Sequence, residues 1–247
     1  MNLTNNTILI TGGNAGIGQA LAIALQKAGN KVIISGRNEA TLKATTAANP
    51  GMDYEVVDMQ DADSIQLLAA NVISKHPALN VLISNAGIML AEDVLAGAGN
   101  LADAEGMITT NLLGPIRLNT ALLPHLLSQP KATIVTVSSG LAFVPLAITP
   151  TYSATKAAIH SYSQALRHQL RNTSVEVLEL APPGVATDLM PGHKDNPQSM
   201  PLDAYIGEVM ELLKTAKDEI LVERVKFLRN AESTGAYANV FGMLNPV

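Results

Sequence analysis

A tyrosine and a lysine four residues apart, Tyr152 and Lys156, have the types and spacing needed for proton transfer. Side chains at this spacing share one face of a helix. Apolar residues at helical spacing from Lys156 to Leu170, without glycine or proline, predict that helix. A phenol with its ordinary pKa of about 10 is a poor acid at neutral pH. A nearby ammonium stabilises the phenolate, so we expect Lys156 to lower the pKa of Tyr152.

A serine, Ser139, precedes Tyr152 and follows an apolar run, Ala132 to Val137, that predicts a buried strand. Strand and helix together would surround one small space with a hydroxyl, a phenol and an ammonium, which suits a carbonyl oxygen that receives a proton. Taken alone, a tyrosine–lysine pair is common by chance. Of the five tyrosines, however, only Tyr152 has a lysine four residues later.

The N-terminal part of the chain carries a glycine-rich turn, Gly12 to Gly18, inside a strand–helix–strand unit. The unit consists of a strand from Thr7 to Thr11, a helix from about Ile17 to Ala28 and a strand from Lys31 to Ser35. Glycines let the backbone come close to a phosphate, and the N-terminus of the helix offers free N–H groups. A plain turn is the alternative, but the flanking strands and helix favour a dinucleotide site.

The end of the second strand, Gly36-Arg37, bears on which nucleotide binds. NAD-binding proteins commonly place a carboxylate there for the adenosine ribose hydroxyls, and this chain has none at that point. A guanidinium is well shaped to hold a 2′-phosphate. We therefore expect NADP(H) rather than NAD(H); an arginine that is merely exposed at the start of a loop is the alternative.

Strands and helices alternate along most of the chain. The further predicted strands are 54–57, 79–83 and 175–180, and the further helices are 38–48, 61–75, 102–127 (with a kink at Gly114-Pro115) and about 152–171. The pattern predicts an α/β fold with a single doubly wound parallel sheet (Rossmann fold) and helices on both faces. Ligands of such sheets lie beyond the carboxyl ends of the strands, where the glycine-rich turn, Arg37, Asp58, Asn85, Ser139 and Pro183-Gly184 all fall.

The last sixty residues have a different character. Segment 188–201 is polar and contains proline and glycine, so we predict a flap over the site, with a plain surface loop as the alternative. A helix over 202–215, a strand over 219–223 and a short helix over 225–232 follow. The apolar tail, 233–247, is expected to dock on its own chain or on a partner subunit. No linker interrupts the chain, so residues 1–247 are predicted to form one domain.

Composition excludes several classes of protein. Apolar residues make up 47% of the 247 residues and charged residues 15%, which suits a sheet buried on both faces and not a disordered chain. The net charge of −5 and the absence of lysine or arginine runs argue against a nucleic-acid partner. Neither a signal peptide nor an apolar stretch of about 20 residues is recognisable, so we expect a cytoplasmic protein without membrane contact.

No metal site is predicted. The chain has no cysteine, and its histidines lack the spacing of metal ligands. We interpret all five histidines as structural or solvent-facing: His76, His125, His160, His168 and His193.

The chain resembles the classical short-chain dehydrogenases/reductases. The family's motifs occur in order from Ile8 to about Thr187: Thr11-Gly-x3-Gly-Ile-Gly18, Asn85-Ala-Gly87, Asn111, Ser139, Tyr152-x3-Lys156 and Pro183-Gly184-x2-Thr187. Ser84 stands where the family commonly has a second asparagine. The run Ser-Ser-Gly-Leu-Ala-Phe-Val-Pro-Leu from Ser138, the segment Lys226-Phe-Leu-Arg229 and the later Met243-Leu-Asn245 are similar to a subgroup, the DltE-like oxidoreductases.

This resemblance implies roles for the matching residues. Tyr152 would give a proton to the substrate oxygen in reduction and remove it in oxidation, and Lys156 would hydrogen-bond the nicotinamide ribose. Ser139 would hold the substrate oxygen, and Asn111 would hold a water that links Lys156 to solvent. Together with the glycine-rich turn and Arg37, the predicted cofactor-binding set is Gly12, Asn14, Ala15, Gly16, Ile17, Gly18, Arg37, Asp58, Met59, Asn85, Ala86, Gly87, Tyr152, Lys156, Pro183, Gly184, Val185 and Thr187.

The sequence therefore predicts an oxidoreductase that interconverts a carbonyl and an alcohol with NADP(H). One alternative is a nucleotide-binding redox sensor or scaffold without chemistry, although such proteins tend to lose the serine, tyrosine or lysine that this chain retains. Another is an enoyl reductase, whose lysine would stand seven residues after the tyrosine, where this chain has Ile159. A sugar epimerase usually has a shorter glycine spacing and a longer C-terminal domain.

The substrate is expected to be a small hydrophobic ketone, aldehyde or secondary alcohol. The candidate pocket walls are mostly apolar and include no arginine: Ile88, Met89, Leu90, Phe143, Val144, Leu146, Met190, Tyr205 and Phe241. The resemblance also implies a homodimer or homotetramer, formed through helices 102–127 and 152–171.

Overall fold

A parallel sheet forms the centre of the molecule. The computed structural model describes residues 2–192 and 194–246; His193, which we interpreted as structural or solvent-facing, lies outside them. The seven strands found in these residues are β1 Thr7–Thr11, β2 Lys31–Gly36, β3 Asp53–Val56, β4 Leu79–Ser84, β5 Ala132–Val137, β6 Val175–Leu180 and β7 Glu219–Ile220. They lie in the order β3-β2-β1-β4-β5-β6-β7, and each neighbouring pair is parallel. The predicted doubly wound sheet is confirmed.

Both faces of the sheet are covered, which explains the nearly continuous apolar runs of its strands. Neighbouring residues of a strand point to opposite faces. In β1, Ile8 and Ile10 therefore belong to one buried cluster and Leu9 to another. Strand order reverses between β1 and β4. In sheets of this kind a crevice for ligands opens at such a point, beyond the carboxyl ends of the strands.

Helices connect the strands. They are α1 Gly16–Lys27, α2 Glu39–Ala48, α3 Ala62–Lys75, α4 Leu101–Ile108, α5 Gly114–Ser128, α6 Pro150–Leu170, α7 Leu202–Leu212, α8 Lys226–Arg229 and α9 Tyr237–Leu244. The carboxylate of Asp61 accepts a hydrogen bond from Asp63 N and so caps the start of α3. In the part of the chain that is described, no helix is long and apolar enough to cross a membrane.

The predicted long helix 102–127 is wrong as a single α-helix. A π-helical segment, Thr109–Leu113, separates α4 from α5, directly before Gly114-Pro115. Pro115 has no N–H and cannot continue the α-helical hydrogen bonds. Gly114 passes so close to Met59 that a Cβ would lie 2.8 Å from the Met59 carbonyl oxygen. The predicted interruption is therefore present as a π turn, a feature that often occurs at functional sites.

The C-terminal elements differ from the predicted ranges. The strand expected over 219–223 has only two residues, and the helix expected over 225–232 is the four-residue α8, preceded by a 3-10 turn at Glu223–Val225. The tail docks on its own chain. Val240 of α9 is buried in the core, and Asn245 bonds the loop before α6: Ala147 N donates to its Oδ1 at 2.6 Å, and its Nδ2 donates to Pro145 O at 3.1 Å.

Backbone hydrogen bonds join the two ends of the segment predicted as a flap. Val185 and Met200 form an isolated parallel bridge, in which Ala186 N donates to Met200 O at 2.9 Å and Met200 N donates to Gly184 O at 2.8 Å. Between these anchors the described residues form turns and bends. Opening of this segment stays a prediction.

We predict that Gly18→Ala lowers the free energy of unfolding of the protein without cofactor by about 1–3 kcal/mol, because an added methyl overpacks the turn. A Cβ at Gly18 would lie 2.3 Å from the backbone oxygen of Gly12. The matched control is Gly207→Ala on α7, where a Cβ meets nothing within 4 Å. Alanine is the better helix former by about 1 kcal/mol, so this control should be neutral or stabilising. Equal effects of the two substitutions in urea unfolding would contradict the prediction.

Candidate active site

One cavity of about 910 Å³ lies beyond the carboxyl ends of the strands. The predicted site residues that line it are Gly12, Asn14, Ala15, Gly16, Ile17, Gly18, Arg37, Asp58, Met59, Asn85, Ala86, Gly87, Ser139, Tyr152, Lys156, Pro183, Gly184, Val185 and Thr187. The sheet thus brings together, in one space, residues that are far apart in the sequence. Asn111 is the exception and lies behind the wall of the cavity.

The glycine-rich turn forms one end of the cavity. α1 begins there at Gly16, and the preceding residue, Ala15, provides no side chain to cap the first free N–H groups. Uncapped N–H groups and the helix dipole attract an anion. The backbone of Gly12, with φ of +66°, passes so close to Ala86 that a Cβ would lie 3.0 Å from its Cα. This bare backbone surface fits the pyrophosphate of a dinucleotide.

Arg37 stands beside that turn. It is exposed, follows β2 directly and lines the cavity. None of the ion pairs of the described residues includes Arg37. The neighbouring Asn14 donates from Nδ2 to Thr41 Oγ1 at 2.7 Å and so ties the turn to α2. The guanidinium is accessible to a phosphate at this end of the cavity.

Ser139, Tyr152 and Lys156 meet near the middle of the cavity. Ser139 follows β5, and Tyr152 lies in the first turn of α6, which starts at Pro150, two residues earlier than predicted. The Ser139 hydroxyl lies close enough to the Tyr152 phenol to favour its ionised form. The Lys156 Nζ donates to the Val137 carbonyl at 2.9 Å and lies 5.5 Å from the centre of the Tyr152 ring. All three side chains are buried.

Burial controls the protonation of this group. Desolvation raises the pKa of Tyr152 to about 12, and the hydrogen bond from Ser139 offsets only part of that effect. Desolvation lowers the pKa of Lys156 to about 8. The expectation that Lys156 lowers the pKa of Tyr152 is therefore wrong for the protein alone, because removal of the phenol from water dominates the shift. Tyr152 therefore keeps its proton at neutral pH.

Asn111 lies in the π-helical segment and holds the backbone of the opposite wall. Ile88 N donates to its Oδ1 at 2.9 Å, and its Nδ2 donates to Ile88 O at 2.9 Å. Nδ2 also lies 3.3 Å from Thr155 Oγ1, on the helix of Tyr152. Asn111 thus ties the segment after β4 to α6. Its predicted contact with a water beside Lys156 stays a prediction.

The other end of the cavity is mainly apolar. The predicted wall residues Ile88, Met89, Leu90 and Leu146 line it, and Met190 packs on the cluster that contains Tyr152. Five of the nine predicted wall residues, Met190 among them, do not line the cavity. Val144 and Tyr205 are in the core, the Phe143 ring packs against His160, and Phe241 is exposed. The residues that sequence reasoning missed are Leu141, Leu189, Phe227, Leu228 and Leu244.

An arginine also lines this end, contrary to expectation. Arg224 precedes α8, is exposed and donates to the Gln198 carbonyl in the segment predicted as a flap. No local sequence signal identifies it or the missed leucines, because their place in the wall depends on how the last sixty residues fold back over the sheet.

A buried polar cluster lies behind Ser139 and was also missed. Glu179 of β6 is fully buried and accepts hydrogen bonds from Ser138 Oγ at 2.5 Å and from His160 Nδ1 at 2.8 Å. The interpretation of His160 as structural or solvent-facing overlooked this arrangement. The sequence did contain a signal for this cluster, because Glu179 lies in the mainly apolar strand Val175–Leu180. Charged residues are almost never fully buried without a partner, so a buried Glu179 implies a polar partner nearby.

Comparisons with known proteins agree on one family. A family model described as "short chain dehydrogenase" matches residues 6–198. The protein named "Uncharacterized oxidoreductase DltE" of Bacillus subtilis is 43% identical over 249 aligned positions, which cover 99% of this chain and 98% of that protein.

Solved structures share the fold. A short-chain dehydrogenase from Burkholderia cenocepacia in complex with NADP has a TM-score of 0.83 and 22% identity, with 100% of both chains covered. A short-chain dehydrogenase from Sphingobium yanoikuyae in complex with NADPH has a TM-score of 0.82 and 20% identity, with 95% of this chain and 94% of that chain covered.

We predict that the Tyr152 phenol ionises near pH 12, well above the ordinary value, because burial disfavours the phenolate. The ultraviolet absorbance of tyrosinate, titrated in wild type and Tyr152→Phe without cofactor, gives the contribution of Tyr152 as a difference. Tyr162→Phe, ten residues later on α6, is the matched control and removes a phenol outside the cavity. A difference curve for Tyr152 with a midpoint at or below about pH 10 would contradict this prediction.

Proposed function

Because this chain belongs to the short-chain dehydrogenase family, we propose that it is an NADP(H)-dependent oxidoreductase that interconverts a carbonyl and an alcohol, with Tyr152 as the general acid and base. The observation that carries the proposal is the convergence of Ser139, Tyr152 and Lys156 in the cavity that also contains the glycine-rich turn. A dinucleotide bound at that turn and a substrate whose oxygen contacts Tyr152 would therefore occupy the same cavity.

The nicotinamide, when bound, supplies or takes the hydride. The protein provides orientation and the proton. Ser139 and Tyr152 present two neighbouring hydroxyls, which would both hydrogen-bond a carbonyl oxygen, and Tyr152 would release its proton as negative charge develops there. The ammonium of Lys156 would then stabilise the phenolate. With a pKa of about 8, Lys156 is mainly protonated at neutral pH. In oxidation the proton moves the other way, from the alcohol to Tyr152.

Arg37 supports the preference for NADP(H). Its guanidinium lines the cavity beside the glycine-rich turn, where the 2′-phosphate of a bound cofactor would lie. The residues that would hold the rest of the cofactor are the predicted cofactor-binding set. The proteins from Burkholderia cenocepacia and Sphingobium yanoikuyae, each solved with NADP or NADPH, are consistent with this choice.

The apolar end of the cavity supports a small hydrophobic ketone, aldehyde or secondary alcohol as the substrate. Leu141, Leu146 and Leu244 offer no charge or hydrogen bond to a ligand and favour hydrocarbon. Arg224 is exposed, so a polar group of a substrate that contacts it would lie towards solvent.

A homodimer or homotetramer in the cytoplasm belongs to the same proposal. Exposed apolar side chains along α4, the π-helical segment and α5 support the assembly, among them Leu101, Ile108, Leu113 and Leu127. The runner-up function is a cofactor-binding sensor or scaffold without turnover. In that case NADPH would bind tightly while no carbonyl compound was reduced.

We predict that Arg37→Glu reverses or abolishes the preference for NADPH over NADH, because a carboxylate repels the 2′-phosphate and accepts hydrogen bonds from ribose hydroxyls. The measurement is the ratio of the two dissociation constants by fluorescence titration. We expect a change of at least tenfold, about 1.4 kcal/mol. Arg171→Glu, the same substitution at the end of α6, is the control for net charge. An unchanged ratio in Arg37→Glu would remove Arg37 from cofactor selection.

We predict that Tyr152→Phe retains NADPH binding but loses nearly all turnover, because the phenyl ring keeps the shape of the site without a proton to transfer. Loss of general acid catalysis costs about 10²–10⁴-fold. The assay follows NADPH absorbance across a panel of hydrophobic ketones and aldehydes, with Tyr162→Phe as the control on the same helix. Equal turnover by wild type and Tyr152→Phe would exclude Tyr152 as the acid. No turnover by wild type despite tight NADPH binding would favour the sensor.

A further inference from the structure

A fully buried carboxylate lies directly behind the proposed site. Glu179 is in register with Thr136 of β5, one residue pair before the end of both strands. Its two oxygens lie 3.0 and 2.8 Å from His160 Nδ1, and Ser138 Oγ donates to one of them at 2.5 Å. Burying a carboxylate is costly unless hydrogen bonds compensate for the lost water. These three contacts supply that compensation and fix the directions in which the neighbouring groups lie.

The two partners of Glu179 belong to the two elements that carry the proposed catalytic residues. Ser138 immediately precedes Ser139 at the end of β5, and its own N–H donates to Leu180 O at 2.9 Å. His160 lies on α6, one turn after Lys156 and two turns after Tyr152. The Glu179 carboxylate therefore accepts one hydrogen bond from the segment that carries Ser139 and another from the helix that carries Tyr152. Glu179 and His160 themselves do not line the cavity.

A second ion pair encloses this cluster. Arg229 of α8 holds Glu219 of β7 with two hydrogen bonds, of 2.9 and 3.1 Å, and its guanidinium lies 5.0 Å from the centre of the Phe143 ring. The Phe143 ring meets His160 edge-on, with 4.9 Å between ring centres. Ser138 and Phe143 come from one segment that resembles the DltE-like subgroup and Arg229 from another, so two separate parts of that signature meet around the Glu179–His160 pair.

A bound cation is the competing explanation of this cluster. His160, Glu179 and Glu219 offer ligand atoms that lie within 4.8 Å of one another. Ser138 and Arg229 already donate hydrogen bonds to the two carboxylates, however, and the guanidinium balances the charge of Glu219. The described contacts therefore favour a hydrogen-bonded network over a metal site.

We propose that Glu179 is a positioning residue: its carboxylate holds Ser138 and His160 together and thereby sets the contact between the Ser139 and Tyr152 hydroxyls. This inference rests on the proposed function, because it assigns a role in that same reaction. Two further hydrogen bonds join β5 to α6: Thr136 Oγ1 with Ser163 Oγ at 2.7 Å, and Lys156 Nζ with the Val137 carbonyl at 2.9 Å. Directed hydrogen bonds hold such elements at one distance, and a shift of about 1 Å is enough to cost about 100-fold in rate.

The test compares Glu179→Leu, which removes the acceptor, with Glu179→Gln, which keeps one oxygen for Ser138. We expect kcat for carbonyl reduction to fall roughly 10- to 100-fold in Glu179→Leu, with partial rescue in Glu179→Gln. The dissociation constant of NADPH should stay unchanged, and NADPH binding also counts the folded sites in each sample. Glu176→Gln, at the far end of the same strand, is the matched control and should retain full kcat.

His160 provides a second route to the same answer if Glu179→Leu does not fold. His160→Asn keeps an N–H near the position of Nδ1, whereas His160→Leu removes it. We expect His160→Asn to retain more kcat than His160→Leu at similar melting temperatures. Unchanged kcat per NADPH-binding site in both Glu179→Leu and His160→Leu would overturn the proposal. Loss of wild-type activity in chelator, restored by a divalent cation, would replace it with a metal site.

A structural measurement separates this inference from the proposed function. If wild type reduces no carbonyl compound, the proposed function fails, and crystal structures of wild type and His160→Leu decide the positioning role. A Ser139–Tyr152 hydrogen bond that persists in the variant would overturn the role of the cluster. A broken hydrogen bond in His160→Leu, with the contact intact in Glu176→Gln, would support it.

Discussion

The burial of Tyr152 and Lys156 in one space is the constraint on which the rest of the site depends. Desolvation makes the phenol a weaker acid, with a pKa of about 12, and the ammonium a stronger one, with a pKa of about 8. A buried cation needs polar partners, and the Val137 carbonyl at the end of β5 supplies one. The site is therefore possible only where the end of this strand and the first turns of α6 meet, which the parallel sheet arranges.

The sequence correctly predicts those strands whose bounds are set by neighbouring residues in the chain. β1, β5 and β6 have the predicted bounds, because each is a mainly apolar run that is followed closely by glycine, serine or proline. The strand predicted over 219–223 was too long, since only Glu219 and Ile220 pair with β6. The residues at the strand ends were predicted because topology alone brings carboxyl ends together. The leucines of the pocket wall were missed because their burial is set by contacts with distant segments.

Burial also explains the two chemical surprises of the site. From spacing alone, Lys156 should lower the pKa of Tyr152, because spacing reveals charge but not desolvation. The acid at position 179 was visible inside an apolar strand, but its partners, Ser138 and His160, lie 41 and 19 residues away. Sequence can therefore indicate that a buried charge needs a partner, and only the fold identifies it.

The direction of the Asn111 side chain depends on the number of residues in the π-helical turn before α5. A π turn contains more residues than the α turns beside it, and each residue of an α-helix turns its successor by roughly 100°. If the chain lost one residue between Thr109 and Leu113, α4 and α5 could join as a regular helix, and the amide of Asn111 would rotate away from Ile88. The segment Thr109–Leu113 should therefore tolerate many substitutions on its exposed side but no change in length. Insertions and deletions here would be removed by selection.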